Sequence, residues 1–164
     1  MPSTPYSREI RIKGAFNGSN IGTLMDRNTR FVILAKVDDA SADAVLEGFT
    51  RRLRTLPKAL RKTLTYDQGR EMARHEELEK RTHLMVYFAD PHSPWQRPTN
   101  ENTNGLLRQY FPKGTDLSQY SQQYLTKVAN EMNNRPRKSL GFRTPAEVMA
   151  QKIRDLNGSV ALQN

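Results

Sequence analysis

Between residues 9 and 38 the chain commits itself to a sheet before any helix can form. The run "EIRIKGAF" alternates Ile10 and Ile12 with Arg11 and Lys13, the period-two pattern of a half-buried strand. "NGSN" follows at 17–20, a hairpin turn in which Gly18 supplies a positive φ. "IGTLMD" and "FVILAKVD" are two further strand patterns, joined only by the tight "DRNTR" link. Links this short cannot hold the crossover that a parallel pair requires, so the three strands form an antiparallel meander.

Beyond the meander, helical and extended patterns alternate. "SADAVLEGFTRRLRTLP" reads as a helix, capped by Ser41, with Ala44, Val45, Phe49 and Leu53 at helical spacing toward Pro57. "KTLTYDQG" is a short strand stopped by Gly69, and "REMARHEELEKRTH" is a polar helix. "LMVYFAD" is a continuous apolar run that suits a strand covered on both faces. Three helices close the chain. "NENTNGLLRQYF" is the first, and "SQQYLTKVANEMNN", burying Tyr120, Tyr124, Val128 and Met132 before Arg135-Pro136, is the second. The third starts at "TPAEVMAQ", where Thr144, Pro145 and Glu147 make a capping box. The order βββαβαβααα predicts a mixed α/β domain, five strands flanked by helices. A chain of 164 residues fits one such domain. Without cysteine it has neither a disulfide framework nor a thiolate metal site, and no apolar stretch has the length of a signal segment or membrane span. A cytoplasmic protein is expected, with no membrane partner.

Lysine and arginine number 26 against 17 acids, a net charge of +9. Such a surplus favours polyanions, because neutralised phosphates release their counterions. Against it, two acids stand out. Asp67 lies at the C-terminal end of a predicted strand, where ligands gather in open α/β sheets. Glu101 sits among asparagines at the start of a helix. Both also have ordinary explanations. Asp-Gln-Gly is turn chemistry, and a first-turn acid gains about 0.3–1 kcal/mol from the helix dipole. Glu101, Gly105 and Arg108 fall at i, i+4 and i+7 on one stripe, while Leu106, Leu107 and Tyr110 point toward a core. A phosphate backbone could approach Gly105, contact Arg108 and meet a metal held by Glu101. The preceding loop carries His92, Trp95 and Arg97, Asn104 lies within the helix pattern, and Lys113 follows it. Basic residues with an aromatic suit a single-strand or distorted-duplex site. Trp95 reads equally well as a loop anchor, and His92 reads as a solvated loop residue rather than a metal ligand, because no second histidine has metal spacing.

"TYDQG" followed by "FADPHSPWQRPTNENTNGLLRQYFPKG", and then "NNRPRKSLGFRTPAEV", resembles bacterial insertion-sequence transposases of the thirty group. Those are DDE recombinases with the ribonuclease-H-like fold of retroviral integrases. The resemblance runs from about residue 10 to 150, and 33 residues separate Asp67 from Glu101, the family's spacing for its second and third acids. It implies an integrase-like catalytic core over 10–150, after a disordered lead-in at 1–9 and before a C-terminal tail at 151–164. It also implies Asp67 and Glu101 as catalytic metal ligands, with His92, Trp95, Arg97, Asn104, Arg108 and Lys113 on the DNA side. The implied cofactor is Mg²⁺ or Mn²⁺. A two-metal site with ions about 3.5–4 Å apart would cleave DNA and join it to a target.

The resemblance also exposes a gap. The family's first aspartate stands on the first strand, ahead of "KG", and here Ile10 occupies that position. Glu9 is adjacent but points to the opposite strand face, and Asp26, on the neighbouring strand, reads as structural. With two acids left, little or no strand transfer is expected. Pro98 replaces the family's usual glycine, and no helix-turn-helix pattern precedes the first strand. Together these departures read as a shortened reading frame with weak recognition of transposon ends. The expected partners are DNA (transposon ends and target) and either further copies of the chain or full-length transposase, in the nucleoid. The alternatives are a non-catalytic fragment that binds DNA or interferes with transposase, and a ribonuclease-H-type nuclease acting on hybrids.

Overall fold

The computed structural model describes residues 10–17, 20–66, 72–88, 105–112 and 114–163. β1 (Ile10–Asn17), β2 (Ile21–Asp26) and β3 (Val32–Lys36) form the antiparallel meander. α1 (Ala42–Leu53) then leads to β4 (Arg61–Tyr66), and α2 (His75–Thr82) leads to β5 (Met85–Phe88). β1 pairs in parallel with β4, and β4 with β5, so the five strands lie in the order β3-β2-β1-β4-β5. The helix α3 is described over 105–110, followed by α4 (Gln122–Asn133) and α5 (Pro145–Gln163). This is the mixed five-stranded architecture that the sequence predicts.

Strand alternation sorts the apolar residues into two cores. Leu24, Ala35, Leu64 and Tyr66 face α1, where Val45, Phe49 and Leu53 meet them. Ile21, Met25, Val32 and Leu34 face the other way, onto Leu107 of α3, Phe111, and Leu125, Val128 and Met132 of α4. Ser41 caps α1, its Oγ accepting from the Ala44 amide at 3.2 Å. Gly22 lies under the Phe49 ring, and a Cβ there would overlap it, so only glycine lets α1 sit this close to the sheet. Thr144 caps α5 as expected, its Oγ1 accepting from the Glu147 amide at 3.1 Å.

Three expectations are corrected. The "MVYF" run is β5, at the sheet edge, with Met85 58% and Tyr87 49% exposed, so it is not covered on both faces. An unbroken apolar run shows that a segment is extended, but strand order decides what covers it. Tyr124 is exposed and stacks on Tyr120, their ring centroids 4.9 Å apart, whereas Leu125 and Ala129 take the buried positions beside Val128 and Met132. Residues 151–163 continue α5, with Ile153 and Leu156 packed on the first core, rather than forming a separate tail. The lead-in at 1–9 and the Gly18 turn lie outside the described residues.

Candidate nucleic-acid interface

α3 presents Gly105 and Arg108, two of the three residues of the stripe read from the sequence. Leu107 and the following Phe111 are buried in the second core, while Gly105 and Arg108 are exposed on the outer face. Among the described residues, no atom beyond the helix's own backbone and the chain neighbours lies within 4 Å of a Cβ built on Gly105, which leaves the helix surface there open to a ligand's backbone. Asp67, His92, Trp95, Arg97, Asn104, Glu101 and Lys113 fall outside the described residues, as do Glu9 and Pro98. The ends of the neighbouring elements are described. β4 stops at Tyr66, directly before Asp67, and α3 packs on the sheet face opposite the Tyr66 side chain.

The central strand carries no acid. β1 reads IRIKGAFN, and it lies between β2 and β4. Its register sharpens the point. Gly14 pairs with Tyr66, whereas Ile10 pairs with Arg61 at the opposite end of β4. Four residues of strand separate positions 10 and 14, a rise of about 13 Å. The position expected to hold the first metal ligand is therefore far from the end of β4 in this register. Asp26, the other acid considered, is engaged elsewhere. Its Oδ2 accepts from the Thr29 amide at 3.0 Å and from Thr29 Oγ1 at 2.6 Å, and Lys152 Nζ from α5 lies 3.8 Å away. At 3% exposure it braces the β2–β3 turn. No group of three or more His, Asp or Glu side chains with metal-binding geometry occurs among the described residues.

The structure adds a basic cluster that the sequence reading passed over as a helix terminator. Asn133 closes α4 by donating from Nδ2 to the Val32 carbonyl (2.9 Å) and accepting the Val32 amide on Oδ1 (2.8 Å). The chain then turns, and Arg135 Nη1 donates to Gln109 Oε1 at 3.0 Å while its guanidinium lies 5.5 Å from the Tyr110 ring centre. Arg137 Nη2 donates to the Met132 carbonyl at 3.1 Å. Burial, with Arg135 and Arg30 nearby, pushes the Arg137 guanidinium below its ordinary value, while Tyr110 opposes that shift. The signal was legible in "NRPRK": three cations, two of them flanking a proline, directly after an amphipathic helix.

The chain is 59% identical to the transposase for insertion sequence element IS1086 of Cupriavidus metallidurans over 142 residues, which are 87% of this chain and 42% of that protein. It is 50% identical to transposase InsI for element IS30A of Escherichia coli over 135 residues, 82% of this chain and 35% of that one. Against the transposase for element IS4351 of Bacteroides fragilis the identity is 42% over 131 residues, 80% of this chain and 40% of that one. The chain thus spans well under half the length of these curated relatives. No family model matches it. Among solved structures, a chain of the simian T-cell lymphotropic virus intasome, in complex with the PP2A regulatory subunit B56 gamma, superimposes with a TM-score of 0.65. That superposition covers 84% of this chain and 53% of the other at 14% identity, and it shows the integrase-type, ribonuclease-H-like fold.

Proposed function

Over most of its length the chain is homologous to insertion-sequence transposases of the IS30 type, and on that premise we propose that it is a transposase catalytic domain acting on DNA, impaired in its chemistry. Asp67, directly after β4, and Glu101, ahead of α3, are its candidate acids. They supply hard oxygen donors suited to Mg²⁺ or Mn²⁺. Arg108, with His92, Trp95, Arg97, Asn104 and Lys113, holds the DNA beside them. The observation that carries the impaired reading is the acid-free central strand β1. A two-metal centre needs a third carboxylate to fix both ions, and this donor set does not fit one. Two carboxylates fit a single divalent cation.

DNA ends and target DNA are the proposed substrates, and pairing with further copies or with full-length transposase is the proposed assembly. The nucleoid follows as the place of action, and no described helix is long and apolar enough to cross a membrane. The same acid-free strand, joined to an exposed basic face, supports a second reading: a non-catalytic fragment that binds DNA or interferes with active transposase. Incubation with supercoiled donor DNA and Mg²⁺ or Mn²⁺ tests the proposal. The expected result is little cleavage, unchanged by Glu101→Gln. Robust cleavage abolished by Glu101→Gln would overturn the impaired reading.

A further inference from the structure

The turn that follows α4 is built around cations that no acid answers among the described residues. No carboxylate pairs with Arg135, Arg137, Lys138 or Arg143 among the described residues, although ion pairs do form elsewhere on the surface. Arg137 Nε is buried with no hydrogen-bond partner, as are the Nε atoms of Arg52 and Arg61, an arrangement that costs stability. The turn is tightly held. The Arg137 amide donates to the Arg143 carbonyl at 3.0 Å, and the Phe142 amide donates to the Arg137 carbonyl at 2.9 Å. At its tip Gly141 (φ 63°) and Phe142 (φ 65°) are both left-handed. Glycine takes that conformation freely, but a bulky aromatic does not. Phe142 is also 70% exposed, so no core burial offsets the strain. A strained, outward aromatic among unanswered arginines is a pattern of ligand contact.

We propose that the Arg135–Arg143 turn is a second DNA-contacting element, in which Arg135, Arg137, Lys138 and Arg143 take phosphate oxygens and Phe142 stacks on an unpaired base. It rests on DNA being the ligand, but not on metal binding by Asp67 and Glu101. The anchored guanidinium of Arg135 favours DNA over a lipid surface. It is fixed against Gln109 and Tyr110 in a planar fork suited to phosphate. Those two residues end α3, so the turn continues the surface on which Arg108 stands. Phe142, as a stacking group, favours single-stranded or frayed DNA over a closed duplex.

Fluorescence anisotropy on the whole chain, in EDTA so that metal plays no part, tests this with a labelled duplex carrying a single-stranded overhang and with a blunt duplex. The variants use exposed side chains, because Arg137 also anchors the end of α4. Phe142→Ala is expected to weaken overhang binding about fivefold or more while changing blunt-duplex binding little. Lys138→Gln with Arg143→Gln is expected to weaken both DNAs and to lower the salt-dependence slope by about two. Wild-type affinity for both DNAs in both variants, with circular dichroism unchanged, would overturn the proposal. So would binding to phosphatidylserine vesicles but not to DNA. If these variants behave as expected while Asp67→Asn and Glu101→Gln leave metal binding untouched, the metal-site reading fails and this one stands.

Discussion

Replacing Asn133 with alanine should destabilise the domain far more than loss of a surface amide would. β3 is an outer strand, and its free edge would present unpaired backbone groups. α4 closes that edge with two side chains. Asn133 accepts the Val32 amide at 2.8 Å and donates to the Val32 carbonyl at 2.9 Å. Gln122, three helical turns earlier, accepts the Lys36 amide at 2.8 Å and donates to the Leu34 carbonyl at 2.9 Å. Asn133 is 2% exposed, so water cannot take over its hydrogen bonds. Asn133→Ala leaves one buried donor and one buried acceptor unmet, at about 1–3 kcal/mol for each, so a loss of about 2–6 kcal/mol is expected. Urea unfolding followed by circular dichroism measures it. With an m-value of about 2 kcal/mol/M, the midpoint should fall by about 1–3 M at unchanged slope. Asn133→Asp keeps the acceptor but turns the donor into a second acceptor facing the Val32 carbonyl, and at neutral pH it should cost at least as much. A midpoint for Asn133→Ala within about 0.5 kcal/mol of wild type, the scatter of a neutral surface change, would refute the edge-closing role.

Two more outcomes follow from the electrostatics and the register. Glu47 on α1 accepts from Arg81 on α2 at 2.7 Å, and that hydrogen bond and charge hold its carboxyl below the ordinary 4.5. Because the folded-state value is depressed, the stabilisation is present above 4.5 and lost as pH falls through the lower folded value. Glu47→Gln should therefore lower the melting temperature at pH 7 and converge on wild type in acid, and a pH-independent difference would count against this. Ile10→Asp should add no metal ligand, since position 10 pairs with Arg61, four residues before the Gly14–Tyr66 pair. Raised Mn²⁺ affinity in that variant would mean that β1 slides along β4 when metal binds.

The fold was legible where local rules are strict. Period-two runs with links of three and five residues left the meander no other form, and Ser41 and Thr144 marked helix starts that the structure confirms by hydrogen bonds. What escaped depended on three-dimensional order. "MVYF" has the composition of a central strand, yet β5 is outermost, a fact set by topology and invisible in the run itself. Tyr124 sits at helical spacing from Val128, but aromatic rings can be accommodated by stacking on Tyr120 at the surface, and the smaller Leu125 and Ala129 fill the core instead. On the proposed site, the exposed Gly105 and Arg108 stripe followed from helical geometry alone. The Arg135–Arg143 cluster showed only as the basic run "NRPRK", because the packing that fixes it joins Arg135 to Gln109, 26 residues earlier in the chain, and to Tyr110.

Mn²⁺ titration of the folded chain, followed by electron paramagnetic resonance, probes the proposed acidic site most directly. Wild type should bind a single Mn²⁺, and Asp67→Asn and Glu101→Gln should each weaken it about tenfold or more, since each removes one of two ligands. Identical binding in all three proteins, or none in wild type, would contradict a shared site at these two acids.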